Sequence, residues 1–371
     1  MISSNTIEQV KRIPIKDVVG RYVPVKQSGK DFKCSCVFHN EKSASMVLFP
    51  KTDTYKCFGC QNGGDQITFI EKYCSLEFHE AVETLCENHG IVCEYEDSDQ
   101  AKLHQAAREQ KKTAITLLQE LCLAYQAAHT DVSYTYLQQR GFSKKDVETF
   151  GYGFAPKACR LAQVVFQKYP AIGRDLGYIK EGEDGSQYDF FRNRIIIPIR
   201  SKDGKVIAFS GRALDDNDGA KYINSAASNI YNKSHALYGI DRALQSIRKS
   251  GEVCITEGYF DVDMAFLRGV DNIVSQCGTS ITQDHISEAA RCGARTFIFI
   301  PDLDAITVEK LEAGVTADKR PGIKSAIEGV KLVTSMGYEA KVIELPQENI
   351  MSKVDLHSFY LDHPEFAVEI S

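Results

Sequence analysis

Hydrophobic residues follow several different rhythms along this 371-residue chain. Up to about residue 96 the rhythm is short and mixed. Positions 10–25 repeat apolar residues at helical spacing and predict a short helix, followed by an extended lead into Phe32-Lys33-Cys34. Positions 45–55 alternate apolar and polar residues around Pro50, which predicts a hairpin. Positions 65–74 and 78–89 predict two helices, the second stopped by Gly90. Residues 97–115 are polar with no apolar face; they read as a linker, and a surface helix is equally consistent. From about 116 onward strand and helix patterns alternate, which favours an α/β core. Arg194-Ile195-Ile196-Ile197-Pro198-Ile199 predicts a strand, Lys202-Asp203-Gly204-Lys205 a tight turn, and 206–211 the returning partner. Short apolar runs at 253–256, 272–276 and 296–300 are separated by helix-length segments, as in a buried parallel sheet. The pattern divides the chain into a unit at 1–96, a linker at 97–115, a first core segment at 116–245 and a second at 246–371. There is no internal repeat.

Composition narrows the class. The length suits two or three domains. Hydrophobic residues at 43% and charged residues at 25% are ordinary for a soluble globular protein. No apolar run is long enough to span a bilayer, and residues 1–10 lack a basic region followed by an apolar one. A cytoplasmic protein with no membrane partner is therefore expected. Twelve cysteines in a large chain without a secretion signal favour metal binding and reduced thiols over a disulfide scaffold. The net charge of −6 alone argues against a nucleic-acid partner. Its distribution argues otherwise: residues 1–60 hold ten Lys and Arg against five Asp and Glu, while acid concentrates at 83–99 and 252–271. Basic patches beside acidic clusters fit an enzyme that holds a polyanion and a divalent metal.

The first candidate chemistry is a metal knuckle. Cys36-x-x-His39 and Cys57-x-x-Cys60 each have the loop spacing that lets two ligands reach one tetrahedral ion, and sulfur and nitrogen donors suit Zn²⁺. Four ligands with no vacancy indicate a structural site. Cys34 could compete with Cys36, and the remaining cysteines read as buried thiols. Cys36-Val37-Phe38-His39, Tyr55-Lys56-Cys57-Phe58-Gly59-Cys60 and Gly63-Gly64-Asp65 resemble the N-terminal zinc-binding domain of DnaG-type primases. That family usually has Pro where Val37 stands and an aromatic where Met46 stands. The resemblance implies a module that helps recognise the template.

The second is a set of acids at strand ends. Glu257-Gly258 follows one apolar run, and Asp302-Leu303-Asp304 follows another. In an open parallel sheet the carboxyl ends of the strands form the ligand crevice. Carboxylates gathered there need a cation, and hard oxygen donors suit Mg²⁺ or Mn²⁺. Singly, each acid could equally be a helix cap or a solvated charge. The pattern resembles the Toprim signature of primases, some topoisomerases and some nucleases. By that resemblance Glu257 and Asp261 belong to the first motif, Asp302 and Asp304 to the second, and Asp355 to a later acidic pair whose second member is replaced by His357. Residues 306–320, which intervene before Pro321-Gly322, depart from the family. They read as an insertion, expected either as a lid-like loop at the rim of the crevice or as an inert excursion.

Residues 136–240 carry the third element. Arg140-Gly141, Arg192-Asn-Arg194, Gly211-Arg212, Lys221-Tyr-Ile-Asn224 and Lys233 resemble, in order, the RNA-polymerase portion of the same primases. Arg140, Arg194, Arg212, Lys221, Asn224 and Lys233 match positions that family uses on template, primer and nucleotide phosphates. Cations on hairpins and loops suit phosphate contacts, although each taken singly could be a solvated basic face. Taken together, the resemblance implies a small N-terminal zinc-ribbon-like domain followed by an α+β core with a Toprim (Rossmann-like, parallel) subdomain. It implies metal-dependent synthesis of short RNA primers on single-stranded DNA from ribonucleoside triphosphates. A replicative helicase is a further implied partner, although the chain stops where the family's helicase-interacting domain normally begins; that domain is either absent or truncated here. The alternatives are another Toprim enzyme, nuclease or topoisomerase, and a non-catalytic nucleic-acid-binding protein.

Overall fold

The computed structural model describes residues 1–38, 44–74, 76–96, 98–215, 219–278, 280–306, 316, 320–347 and 351–364, with backbone alone at 98–101 and 104. It divides into two compact units. One comprises Met1–Arg108 with Gln245–Glu252 and Ser287–Arg295; the other comprises the rest.

In the first unit, helices Ser4–Lys11 and Ile15–Gly20 replace the single helix expected over 10–25. Pro14 stands between them, where it removes a donor and disfavours helix at the residue before it. The strands Lys26–Ser28, Asp31–Cys34, Met46–Phe49, Thr54–Cys57 and Gly63–Gly64 form one antiparallel sheet in that order. The expected hairpin is present, with Met46 opposite Cys57 and Phe49 opposite Thr54. Helix Gln66–Cys74 is preceded by Asp65, whose carboxylate accepts from the Thr68 amide at 2.9 Å. Helix Phe78–His89 ends at Gly90, as expected. Val10, Ile15, Val19, Leu48, Tyr55, Phe69, Ile70 and Val82 close the core. The polar stretch at 97–115 is helical from residue 98 and continues in one helix, Ser98–Ala127. Its polar first half has little to bury; the second half buries Leu118, Leu121, Cys122 and Tyr125, and packing of that kind is what stabilises a helix in water.

In the second unit, an antiparallel sheet runs in the order Tyr222–Asn224, Val206–Ala213, Arg194–Arg200, Gly153–Ala155. The predicted hairpin turns at Gly204, whose φ of +80° suits glycine, and pairs Arg200 with Val206. A second sheet runs Leu237–Tyr238, Ile273–Gln276, Glu252–Thr256, Thr296–Phe299, Glu339–Val342. Ile255 pairs with Val274 and Phe297 with Ala340 in parallel register, while Leu237–Tyr238 is an antiparallel edge. The three inner strands are buried on both faces, which explains their unbroken apolar runs. After Glu252–Thr256 the chain crosses by helix Tyr259–Leu267 to a strand on one side, then returns to Thr296–Phe299 on the other. Strand order therefore reverses between Glu252–Thr256 and Thr296–Phe299. A crevice forms outside the carboxyl ends at such a reversal; Glu257 follows the first of these strands directly, and Asp302 comes after Ile300 and Pro301 at the end of the second. Of residues 306–320 only Ile306, Thr316 and Arg320 are described, so the expected lid or excursion lies outside the described residues. Among the described residues no helix is long and apolar enough to cross a membrane.

Candidate functional site

Two groups of side chains carry chemistry, one in each unit. In the first unit, Cys36 follows one strand, Cys57 ends another, and Cys60 closes the turn after it. Their sulfurs lie within 4.8 Å of one another, with Cys36 Sγ and Cys60 Sγ 3.8 Å apart. Pairing of Met46 with both Cys34 and Cys57 sets the two loops side by side. Burial pushes the Cys36 thiol up. Burial also raises Cys57, but the Ser45 hydroxyl at 3.1 Å and the Cys60 and Gly59 amides outweigh it and hold that thiol below its ordinary value. An array that already stabilises one thiolate suits a soft cation. Cys34, on the neighbouring strand, is not in the group; His39, the expected fourth ligand, lies outside the described residues. All twelve cysteines are free of disulfides.

The second unit gathers the acids. Glu257 follows its strand, and Asp261 lies in the first turn of helix Tyr259–Leu267. Asp302 and Asp304 follow the adjacent strand. Asp355 joins them through a feature that no local pattern signals: Leu303 and Val354 form an antiparallel bridge, with mutual amide–carbonyl bonds of 2.7 and 3.0 Å. That bridge lays Lys353 and Asp355 along the Asp302–Asp304 segment. Asp355 is also the N-cap of helix Leu356–Asp362, accepting from the Ser358 amide at 2.7 Å. His357 donates its amide to Asp261 at 2.9 Å and its Nε2–H to the Arg140 carbonyl at 2.8 Å, bracing acid and base sides together.

The charges there are short of counter-charge. Burial, with the neighbouring Asp302 and Asp304, pushes Glu257 up to about 7. Burial, Asp302 and Asp355 push Asp261 up to about 8. Asp302 is also raised, chiefly by burial and against the pull of Lys353. Asp355 stays below the usual range: burial works against it, but the Ser358 bonds and Lys353 hold it charged. Asp302 Oδ1 is buried without a partner. Lys353, which the sequence reading did not select, places Nζ 2.7 Å from Asp302 Oδ2.

The basic residues divide. Arg212 is 6% exposed, donates to the Tyr136 hydroxyl and to the Tyr222 hydroxyl at 2.8 Å, and lies over the Tyr222 and Phe260 rings. Its described partners are phenols and ring faces rather than a carboxylate, so an arriving anion would compensate a buried charge. Exposed Lys221 is pushed below its ordinary value by partial burial and by Arg212, Lys353 and Arg140. Arg212, Lys353 and Arg140 are therefore all near enough to act on Lys221, and Asp355 acts on it in the opposite sense. Arg194 is different: it is 4% exposed, and its Nη1 is spent on the Gly211 and Ala220 carbonyls at 3.1 and 2.8 Å. Asn224 is likewise committed, donating to the Cys277 carbonyl at 3.1 Å and accepting from the Tyr259 hydroxyl at 3.0 Å. Lys233 is half-buried, its carbonyl accepting from His285 at 2.7 Å.

Residues 2–101 match the family described as CHC2 zinc finger, and residues 97–244 match the family described as DNA primase catalytic core, N-terminal domain. The zinc-finger match and the three-thiol group together identify the first site as a structural zinc site. Over 324 residues the chain is 37% identical to the DNA primase of Halalkalibacterium halodurans, an alignment covering 83% of this chain and 52% of that one. The chain spans about half the length of the curated relatives it matches. The crystal structure of the zinc-binding and RNA polymerase domains of the Aquifex aeolicus primase is similar, at TM-score 0.59 and 26% identity, covering 97% of this chain and 83% of that one. A DnaG primase catalytic domain bound to single-stranded DNA matches at TM-score 0.58 and 28% identity, covering 69% of this chain and 79% of that one.

Proposed function

Since the chain belongs to the DnaG-type DNA primase family, we propose that it synthesises short RNA primers on single-stranded DNA from ribonucleoside triphosphates. The observation that carries this reading is one cluster at the reversal of strand order: Glu257, Asp261, Asp302, Asp304 and Asp355 gather there, His357 ties Asp261 to the Arg140 carbonyl, and Lys221 feels Asp355 as well as Arg212 and Arg140. A site with both signs of charge suits phosphoryl chemistry, where one side holds metal and the other holds phosphates.

The acids fit a divalent metal. Asp302 Oδ1 has no partner, and Glu257 and Asp261 are pushed towards neutrality by burial and by the neighbouring carboxylates. Glu257, Asp302 and Asp304, with Asp355, are the residues that would hold Mg²⁺ or Mn²⁺. Such an ion supplies neutralisation of the charge that builds on transferring phosphates. The remaining work falls to the chain. Arg140, Arg212 and Lys221 receive phosphates of nucleotide or template. Tyr136 and Tyr222 hold the Arg212 guanidinium in place. His357 fixes Asp261 through its amide and Arg140 through its ring, so acid and base sides keep register. Arg194 and Asn224 act through their neighbours, bracing the hairpin and Tyr259. In the transfer itself, a 3′-hydroxyl attacks the α-phosphate of the bound nucleotide and pyrophosphate leaves.

In this reading, residues 1–96 recognise template, 97–115 connect, and 116–245 and 246–371 form the polymerising core of a cytoplasmic enzyme. The test incubates the chain with single-stranded DNA, ribonucleoside triphosphates and Mg²⁺. Short RNA dependent on template and on metal supports the reading; cleavage or relaxation of DNA without RNA product favours another Toprim activity and overturns it.

A further inference from the structure

The crevice already contains a cation of its own. Lys353 Nζ lies 2.7 Å from Asp302 Oδ2 and 4.0 Å from Asp304 Oδ1. Its position is fixed by backbone: Leu303 and Val354 exchange both hydrogen bonds of an antiparallel bridge, so the residue before Val354 lies against the segment that carries both aspartates. Lys353 is about half exposed, with 45% of its side chain accessible, whereas Asp302 is at 14%. The ammonium thus takes up one oxygen of a largely buried carboxylate and leaves the other, Oδ1, without a partner. A divalent cation bound to this pair meets two obstacles: a donor oxygen is occupied, and a positive charge stands beside the place it would enter. Like charges this close repel one another, the more so where burial limits screening.

We propose that Lys353 is the resident counter-ion of the crevice: it holds Asp302 and Asp304 in the metal-free protein and competes with a divalent metal for that pair, so that metal binding requires its displacement. The inference rests on the reading of the crevice as a divalent-metal site. Its consequence is a site kept ordered without metal, at the expense of affinity. Lys353 is a positioning residue in this account, acting on the acids rather than on substrate.

The test is Mn²⁺ binding to the zinc-loaded full chain, followed by electron paramagnetic resonance and by calorimetry, with no nucleotide present. Lys353→Met keeps the stem and removes the charge; Lys353→Arg keeps the charge; Asp302→Asn assigns the signal to the crevice. The inference expects Lys353→Met to bind Mn²⁺ about tenfold or more tightly than wild type, since both the competing ligand and the repulsion are gone. It expects Lys353→Arg to remain near wild type. It also expects metal-free Lys353→Met to melt below wild type and Mn²⁺ to restore it, because the pair loses its compensation. Lys353→Gln, which can still hydrogen-bond but carries no charge, repeats the affinity test if the Met variant folds poorly. Unchanged or weaker Mn²⁺ binding in both neutral variants, with binding in wild type, overturns the lysine inference alone. No Mn²⁺ binding in wild type or in either neutral variant overturns the lysine inference and the metal reading together.

Discussion

Gly322 has no room for a side chain: a Cβ there would overlap the Asp302 carbonyl oxygen and lie 3.0 Å from Glu257 Oε1. The helix that begins at Pro321 is thereby pressed onto the acids, and Gly322→Ala must push Asp302 or Glu257 aside. We expect it to weaken Mn²⁺ binding about tenfold or more while costing only about 1–3 kcal/mol of stability, as overpacking typically does; calorimetry and thermal melting read the two effects separately. On the basic side, Lys221→Ala is expected to weaken binding of single-stranded DNA or nucleotide and to reduce its salt dependence by about one counterion, whereas Lys202→Ala leaves both near wild type. A salt titration of binding checks this, and equal effects at both lysines would mean that only general surface charge matters. Residues were unevenly legible. Glu257, Asp302 and Asp304 are legible because each comes at or just past the end of an apolar run. Arg194 and Asn224 resemble surface ligands in sequence, yet both turn inward onto backbone carbonyls, and no periodicity distinguishes a basic residue that faces solvent from one that braces a hairpin. Lys353 carries no signal in the sequence, because its importance comes from a bridge between residues 51 apart.

The zinc knuckle joins parts from separate strands. Cys36, Cys57 and Cys60 meet only because three strands stand in register. Removing Cys57 takes away a ligand and the thiol that the Ser45 hydroxyl and two amides stabilise. Cys57→Ser is expected to lose the equivalent of one zinc per chain and to unfold the surrounding sheet, since structural zinc supplies folding free energy directly. Metal analysis and circular dichroism check it; a variant that keeps its zinc would show that Cys57 is not a ligand. At this scale much was readable in advance. The hairpin around Pro50, the hairpin around Gly204 and the three parallel strands follow from alternation, turn residues and unbroken apolar runs. Two helices stand where the pattern predicts one, because the apolar spacing over 10–25 continues smoothly through Pro14, which breaks the backbone without breaking the pattern. The stretch 97–115 gave no apolar stripe because its helix draws its packing from residues further along.

Across the whole molecule, the buried acids tie stability to pH. Glu257 and Asp261 are raised to about 7 and about 8 by burial and by each other's neighbours. Their unfolded values lie near 4. Between those limits the folded state holds more protons than the unfolded one, so these groups make metal-free stability fall as pH rises from about 4 to about 8. Added Mg²⁺ or Mn²⁺ is expected to raise the melting temperature more at pH 8 than at pH 6, and Asp261→Asn to flatten the metal-free slope. A melting series in pH with and without metal checks both statements. The fold class was legible because alternation of strand and helix is a property of the whole pattern, and the crevice could be placed once strand order was known. What that order could not convey is how strongly the crevice is charged in both senses, which depends on contacts between distant segments. The central claim is that this crevice performs metal-dependent nucleotidyl transfer, and the most direct measurement is primer synthesis by Glu257→Gln, a change that keeps size and removes the charge. Removal of one metal-holding carboxylate is expected to lower the rate of RNA synthesis on single-stranded DNA by roughly 100-fold or more, with melting behaviour and DNA binding preserved. Primer synthesis near the wild-type rate by folded, DNA-binding Glu257→Gln protein would contradict the account.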